Sequence, residues 1–165
     1  MLNNRELIVT PTTNAQGYYD NKRTEQVGHR SIDINRDFGY KKSKDKCMET
    51  SAARAINEIF KRNAIVLGLT FHGGTNVVGY EWGTFNHIVG RRSSTEAPDQ
   101  IGEMQVAKVL AQEADIAYGP MTDTVYAVDG GLEDWSYAAS WENGVNPEHP
   151  IVNCKPNTYD YYEIK

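Results

Sequence analysis

The sequence predicts an α/β fold: a mixed, mainly parallel sheet with helices on its faces. Three observations lead there. Apolar segments of strand length alternate along the 165 residues with segments of helical periodicity. Residues 64–71 form a continuous apolar run, the pattern of a strand covered on both faces. Two candidate strands end in polar groups: Asn35-Arg36 follows Ile32-Asp33-Ile34, and His72-Gly73-Gly74 follows the 64–71 run. Ligands of open α/β sheets gather at such strand ends. Asn35, Arg36 and His72 are therefore the first candidates for chemistry.

Taken in order, Arg5-Glu6-Leu7-Ile8-Val9-Thr10-Pro11 reads as a buried strand that Pro11 stops. A core strand so near the first residue is expected of a piece of a larger domain. Residues 12–30 are polar and rich in turn formers (Asn14, Gly17, Asp20, Asn21, Gly28), which predicts a long loop. A loop of this length in a compact domain is either functional or disordered, and Tyr18, Tyr19, Lys22, Arg23, His29 and Arg30 favour function. Ala52, Ala55, Ile56, Ile59 and Phe60 recur at helical spacing over about 48–62, and Asn63 ends that helix. With a strand on either side, residues 31–74 read as a β-α-β unit.

Residues 77–82 read as a further short strand and 83–98 as an exposed loop. A second helix starts at Pro98-Asp99 and runs to about 115, with Met104, Ala107, Leu110, Ala111 and Ala114 on its buried side. Gly119-Pro120 breaks it. Residues 124–128 are strand-like and lead into Asp129-Gly130-Gly131, and 132–140 form a third helix. Beyond Asn143 three prolines predict a loop. Without a repeat or a shift in composition, residues 1–165 read as one partial domain, incomplete at both ends.

A net charge of −5 gives no reason to expect nucleic acid or an anionic membrane as partner. No apolar run approaches the roughly 20 residues of a membrane span. The basic run Lys41-Lys42-Ser43-Lys44-Asp45-Lys46 is expected to be a solvated loop. Cys47 and Cys154 make at most one bridge, too little to assign a redox compartment.

Arg36 offers a planar fork that suits a carboxylate or phosphate, and Asn35 adds a donor. Pairing of Arg36 with Asp33 or Asp37 is the competing reading. Arg23 and Arg30 would add positive charge. His72 stands where backbone is free to bend around a ligand, yet a structural histidine would look the same. The chain contains no HxxE, HxxxH, HExxH or CxxC, so spacing alone supports no zinc site. The double glycines lack phosphate-loop spacing. Tyr126 precedes a flexible Gly130-Gly131, where it serves either packing or a ligand. Asp134, at a helix start, complements the helix dipole.

Together these pieces resemble the M14 (carboxypeptidase A-like) zinc metallocarboxypeptidases. Ile32-Asp33-Ile34-Asn35-Arg36-Asp37-Phe38 is similar to the family's DLNRNF-type motif, and residues 7–18 to its preceding strand and NPDGY loop. Phe71-His72-Gly73-Gly74, with Tyr80-Glu81-Trp82-Gly83 beyond it, resembles the strand of the third zinc ligand and its YPWG-like continuation. Tyr126, Gly130-Gly131 and Asp134-Trp135-Ser136-Tyr137 resemble the family's Y…GG…DW.Y segment. The four motifs stand in the family's order across nearly the whole chain.

The resemblance implies a zinc-dependent carboxypeptidase acting on peptide or protein C-termini. His72 would be the third zinc ligand. Asn35 and Arg36 would grip the substrate carboxylate, and Tyr126 would close over it. Arg23, with Arg30 as rival, would polarise the scissile carbonyl. Glu133 would read the terminal side chain and favour Lys or Arg. Two family features are missing from this pattern. The HxxE motif of the first two zinc ligands is absent, and neither Glu148 nor Glu163 stands in the buried strand expected of the general base. The chain alone is thus expected to be inactive. The alternatives are a non-catalytic module that binds peptide C-termini and an unrelated α/β domain for a small anion.

Overall fold

The computed structural model describes residues 4–40, 48–91 and 93–142; of Ser140 and Trp141 it describes only the backbone. The fold is mixed α/β. Helix α1 (Ala15–Tyr19) leads to a hairpin of β1 (Glu25–Val27) and β2 (Arg30–Ile32), a 3-10 turn (Ile34–Arg36) and helix α2 (Ser51–Arg62). Then come β3 (Val77–Tyr80), a 3-10 turn (Phe85–His87), the short antiparallel pair β4 (Ile88–Val89) and β5 (Ser93–Ser94), and helix α3 (Gln100–Ala114). Strand β6 (Ala117–Pro120), helix α4 (Met121–Thr124) and helix α5 (Leu132–Glu142) complete it.

The crossover unit lies later in the chain than the sequence predicts. Strands β3 and β6 pair in parallel, Val77 opposite Ala117 through Tyr80 opposite Pro120, and α3 connects them while packing on both. Gly119-Pro120 thus ends a strand as well as following a helix. Residues 64–71, expected as a doubly covered strand, are irregular and, apart from half-buried Ile65, exposed, Val66 at 98% and Phe71 at 94%. They join no ladder among the described residues, so the apolar run has neither backbone partners nor a covering layer. The same holds for the strand expected at residues 5–11, where Leu7, Ile8 and Val9 are exposed.

Two further expectations are corrected. The loop 12–30 contains α1 and the β1–β2 hairpin. Asn14 caps α1 by accepting the Gly17 N–H at 3.0 Å, and Gly28 turns the hairpin at φ +58°. Residues 124–128 are not a strand. Their amides are taken singly, Val125 N–H by Met121 C=O and Val128 N–H by Gly83 C=O at 2.7 Å, which leaves no ladder to build.

Helix α2 forms where its periodicity predicts, although Ala55 is exposed, and Ala53 and Asn57 join Ala52 and Ile56 inside. Its first turn is satisfied from three directions. Thr50 Oγ1 caps the Ala53 N–H at 3.1 Å; the Glu25 carboxylate takes the Ser51 and Ala52 N–H groups; buried Asp37 takes both N–H and hydroxyl of Thr50. Glu49, beside this cap, pairs with Arg30 of β2. The N-terminus of α2 therefore gathers the hairpin and the turn that carries Asn35 and Arg36.

The core lies next to that turn. Phe38, Tyr40 and Met48 pack with Ala53 and Ile56 of α2, with Trp82, and with Trp135, Ala138 and Ala139 of α5. The Trp135 ring sits 5.3 Å from both Phe38 and Phe60, a spacing at which aromatic pairs attract. On α3 only Ala107 and Ala111 of the expected stripe are buried, while Met104, Leu110 and Ala114 are exposed. Cys47, Cys154, Glu148, Glu163, the basic run 41–46 and the proline-bearing tail lie outside the described residues.

Candidate functional site

The Asn35–Arg36 turn starts with Asp33, whose Oδ1 accepts the Asn35 N–H at 3.1 Å and whose Oδ2 accepts Arg23 Nε at 2.7 Å. This hydrogen bond, and then the charges of Asp33 and Tyr126, hold the Arg23 guanidinium more firmly charged than usual. Asp33 is thus occupied by Arg23, and Asp37 by Thr50. Arg36 pairs with no carboxylate among the described residues. It donates to the Asn35 carbonyl at 2.5 Å and to the Tyr126 hydroxyl at 3.3 Å, with its guanidinium 5.7 Å from the Tyr126 ring centroid.

Asn35 is fixed from the far side by α5. Its Oδ1 accepts the Leu132 N–H at 2.9 Å, capping the helix, and its Nδ2 donates to Glu133 Oε2 at 3.3 Å. Glu133 folds back onto Gly131, where a Cβ would meet its Oε1 at 2.1 Å. Gly130, at φ +76°, turns the chain into α5 and exchanges hydrogen bonds with Phe38 and Tyr40. Arg23, Asn35, Arg36, Tyr126 and Glu133 thereby converge from α1's loop, the 3-10 turn, the segment after α4 and the start of α5. An open depression lined by Gly17, Tyr18, Asn21, Lys22 and Arg23 lies beside them.

His72 does not join this group. It is exposed in the irregular 64–76 segment and has no hydrogen-bond or ion-pair partner among the described residues. No three His, Cys, Asp or Glu side chains among those residues come together to hold a metal ion. The described residues therefore do not fit a catalytic zinc, which takes about three protein ligands. Arg30, the rival to Arg23, turns to Glu49.

The sequence pointed to Asp134 only as a complement to the helix dipole, and it gave no role of their own to Glu81 and Glu103, two part-buried acids. Asp134 is fully buried and accepts the Gly83 N–H at 3.0 Å. Burial, then the neighbouring Glu133, Glu81 and Asp129, push its carboxyl up to about 8. Burial, then Glu133, push Glu81 up to about 7. Glu103 also rises to about 7, from burial, then Glu81 and Asp99. The available signal was Glu81 following an apolar strand; nothing in the sequence announced that Asp134 faces inward.

Fold and cluster together define a mixed α/β protein in which an arginine free of carboxylates stands beside an amide and a phenol hydroxyl. That donor set suits an anionic group. The sequence model of the zinc carboxypeptidase family, peptidase M14, matches residues 1–150, and the chain belongs to that family. No curated protein and no solved structure matches the chain. The family is zinc-dependent and acts on peptides. No helix among the described residues is long and apolar enough to cross a membrane.

Proposed function

We propose that the chain carries the substrate-recognition half of a zinc metallocarboxypeptidase that releases C-terminal residues. The observation that carries this reading is the convergence of Arg36, Asn35 and Tyr126 with no carboxylate on Arg36. A substrate's terminal carboxylate would take the free edge of the Arg36 guanidinium and the remaining amide hydrogen of Asn35. Tyr126, exposed and loosely held at 3.3 Å, would close over it. Glu133 would place negative charge near the terminal side chain, which favours Lys or Arg. Arg23 would face the scissile carbonyl and stabilise charge developing on its oxygen; substituting Arg23 and Arg30 separately decides between the two.

Activity would need zinc, toward which the described residues offer His72 alone, so hydrolysis by the chain as it stands is not expected. A second reading, a non-catalytic module that binds peptide C-termini, is favoured by the lack of any metal-holding group among the described residues. Zinc per chain after dialysis, measured beside His72→Ala, tests the proposal. The expected result is no tightly held zinc in either. One zinc per chain, lost in the variant, would contradict the reading that this chain supplies recognition without the metal.

A further inference from the structure

Two carboxyl oxygens without a donor face the same point behind the site. Asp134 uses Oδ1 for the Gly83 N–H, and its Oδ2 is buried with no hydrogen-bond partner. Glu133 uses Oε2 for Asn35, and its Oε1 is likewise closed to solvent and unpartnered. Both approach Gly83: a Cβ there would stand 3.0 Å from Glu133 Oε1 and 3.1 Å from Asp134 Oδ2. Buried acceptors without donors are costly, and two facing carboxylates are costlier still. No Lys, Arg or His among the described residues pairs with Asp134, Glu133 or Glu81.

We propose that Asp134 is a positioning residue that keeps a proton on Oδ2 and donates it to Glu133 Oε1, so that the two carboxyls carry one negative charge between them. The proton belongs on Asp134 because that residue is fully buried, whereas Glu133 is half-buried and already receives a donor from Asn35. The groups facing Asp134 are Glu133 on its own helix, Glu81 after β3, Asp129 before α5 and the Tyr40 phenol, all acidic or neutral. They favour a neutral acid there. The shared proton holds the Glu133 carboxyl against Asn35 and Gly131. Its consequence for basic substrates rests on the reading of Glu133 given above; the proton itself does not.

The test is the thermal midpoint of the purified chain from pH 5 to pH 8.5, for wild type, Asp134→Asn and Glu133→Gln. The folded state keeps a proton that the unfolded chain releases near pH 4. That contribution is complete below pH 4 and is lost as pH rises toward about 8. Wild type should therefore lose on the order of 5–10 °C across the window, with Glu81 and Glu103, raised in the same range, adding to the fall in wild type and Asp134→Asn alike. Asp134→Asn should fall less steeply, because its amide keeps the Gly83 contact and donates permanently to Glu133. In Glu133→Gln the fall should centre at lower pH, since the nearest charge is gone. Equal steepness in wild type and Asp134→Asn would overturn the proposal and mean two ionised carboxyls bridged by water. Carbon-13 titration of the wild-type aspartates stands independently of either variant. One carboxyl titrating above pH 7 supports the shared proton, and all of them below about pH 5 contradicts it. Peptide binding enters neither readout, so a failed substrate assignment leaves this test standing.

Discussion

The Asn35–Arg36 turn and the His72 segment differ in what holds them. The first is anchored at both ends. Before it, Asp33 ties it to Arg23; after it, Phe38 and Tyr40 enter the core; across from it, α5 begins on the Asn35 side chain. The first turn of α2, capped by Glu25, Thr50 and Asp37, fixes the chain that follows. His72 has none of this: residues 66–76 are exposed, and 64–71 join no ladder among the described residues. A functional side chain is only as well placed as the backbone bonds and packing around it. In this chain the proposed recognition groups are preorganised, and the metal-ligand candidate is not.

Substitutions in the anchored region should have the larger effects on peptide binding. Arg36→Ala should weaken binding of a peptide with a free C-terminus by about 30–100-fold, the loss of charge-assisted hydrogen bonds worth about 2–3 kcal/mol. Calorimetric titration measures this, and a change under threefold would break the contrast. Gly131→Ala comes next. Its new Cβ displaces the Glu133 carboxyl, a flexible chain end, and should cut any preference for Lys over Leu termini by about 3–10-fold, equivalent to roughly 1 kcal/mol. Tyr126→Phe removes a single long hydrogen bond of an exposed residue, so a two- to fivefold loss is expected. His72→Ala should do least: peptide affinity within twofold of wild type and a thermal midpoint moved by about 1 °C at most. A large effect there would mean that the 64–76 segment is better anchored than its exposure indicates.

The contrast also explains what the sequence reveals. Helices α2, α3 and α5 are legible because periodicity is local, and in α2 the Thr50 cap is local too; the cap on α5 comes from Asn35, 97 residues away. The motif around Asn35 and Arg36 is legible for the same reason, although the backbone there is a 3-10 turn rather than a strand end. Strands depend on partners elsewhere. Leu7-Ile8-Val9 and residues 64–71 have strand composition without a ladder among the described residues, while the short Ala117–Pro120 strand, behind its Gly-Pro signal, pairs with β3. Which carboxyls turn inward is also set at long range. Asp134 and Gly83 are 51 residues apart, so their contact leaves no local mark.

The most direct test of the central claim compares one Lys-terminated peptide as the free acid and as the C-terminal amide, titrated into the wild-type chain under identical conditions. A preassembled carboxylate clamp predicts that the free acid binds at least about tenfold more tightly, because amidation removes the charge that Arg36 and Asn35 are placed to meet. Equal affinity for the two peptides would contradict the account, whatever zinc the chain holds.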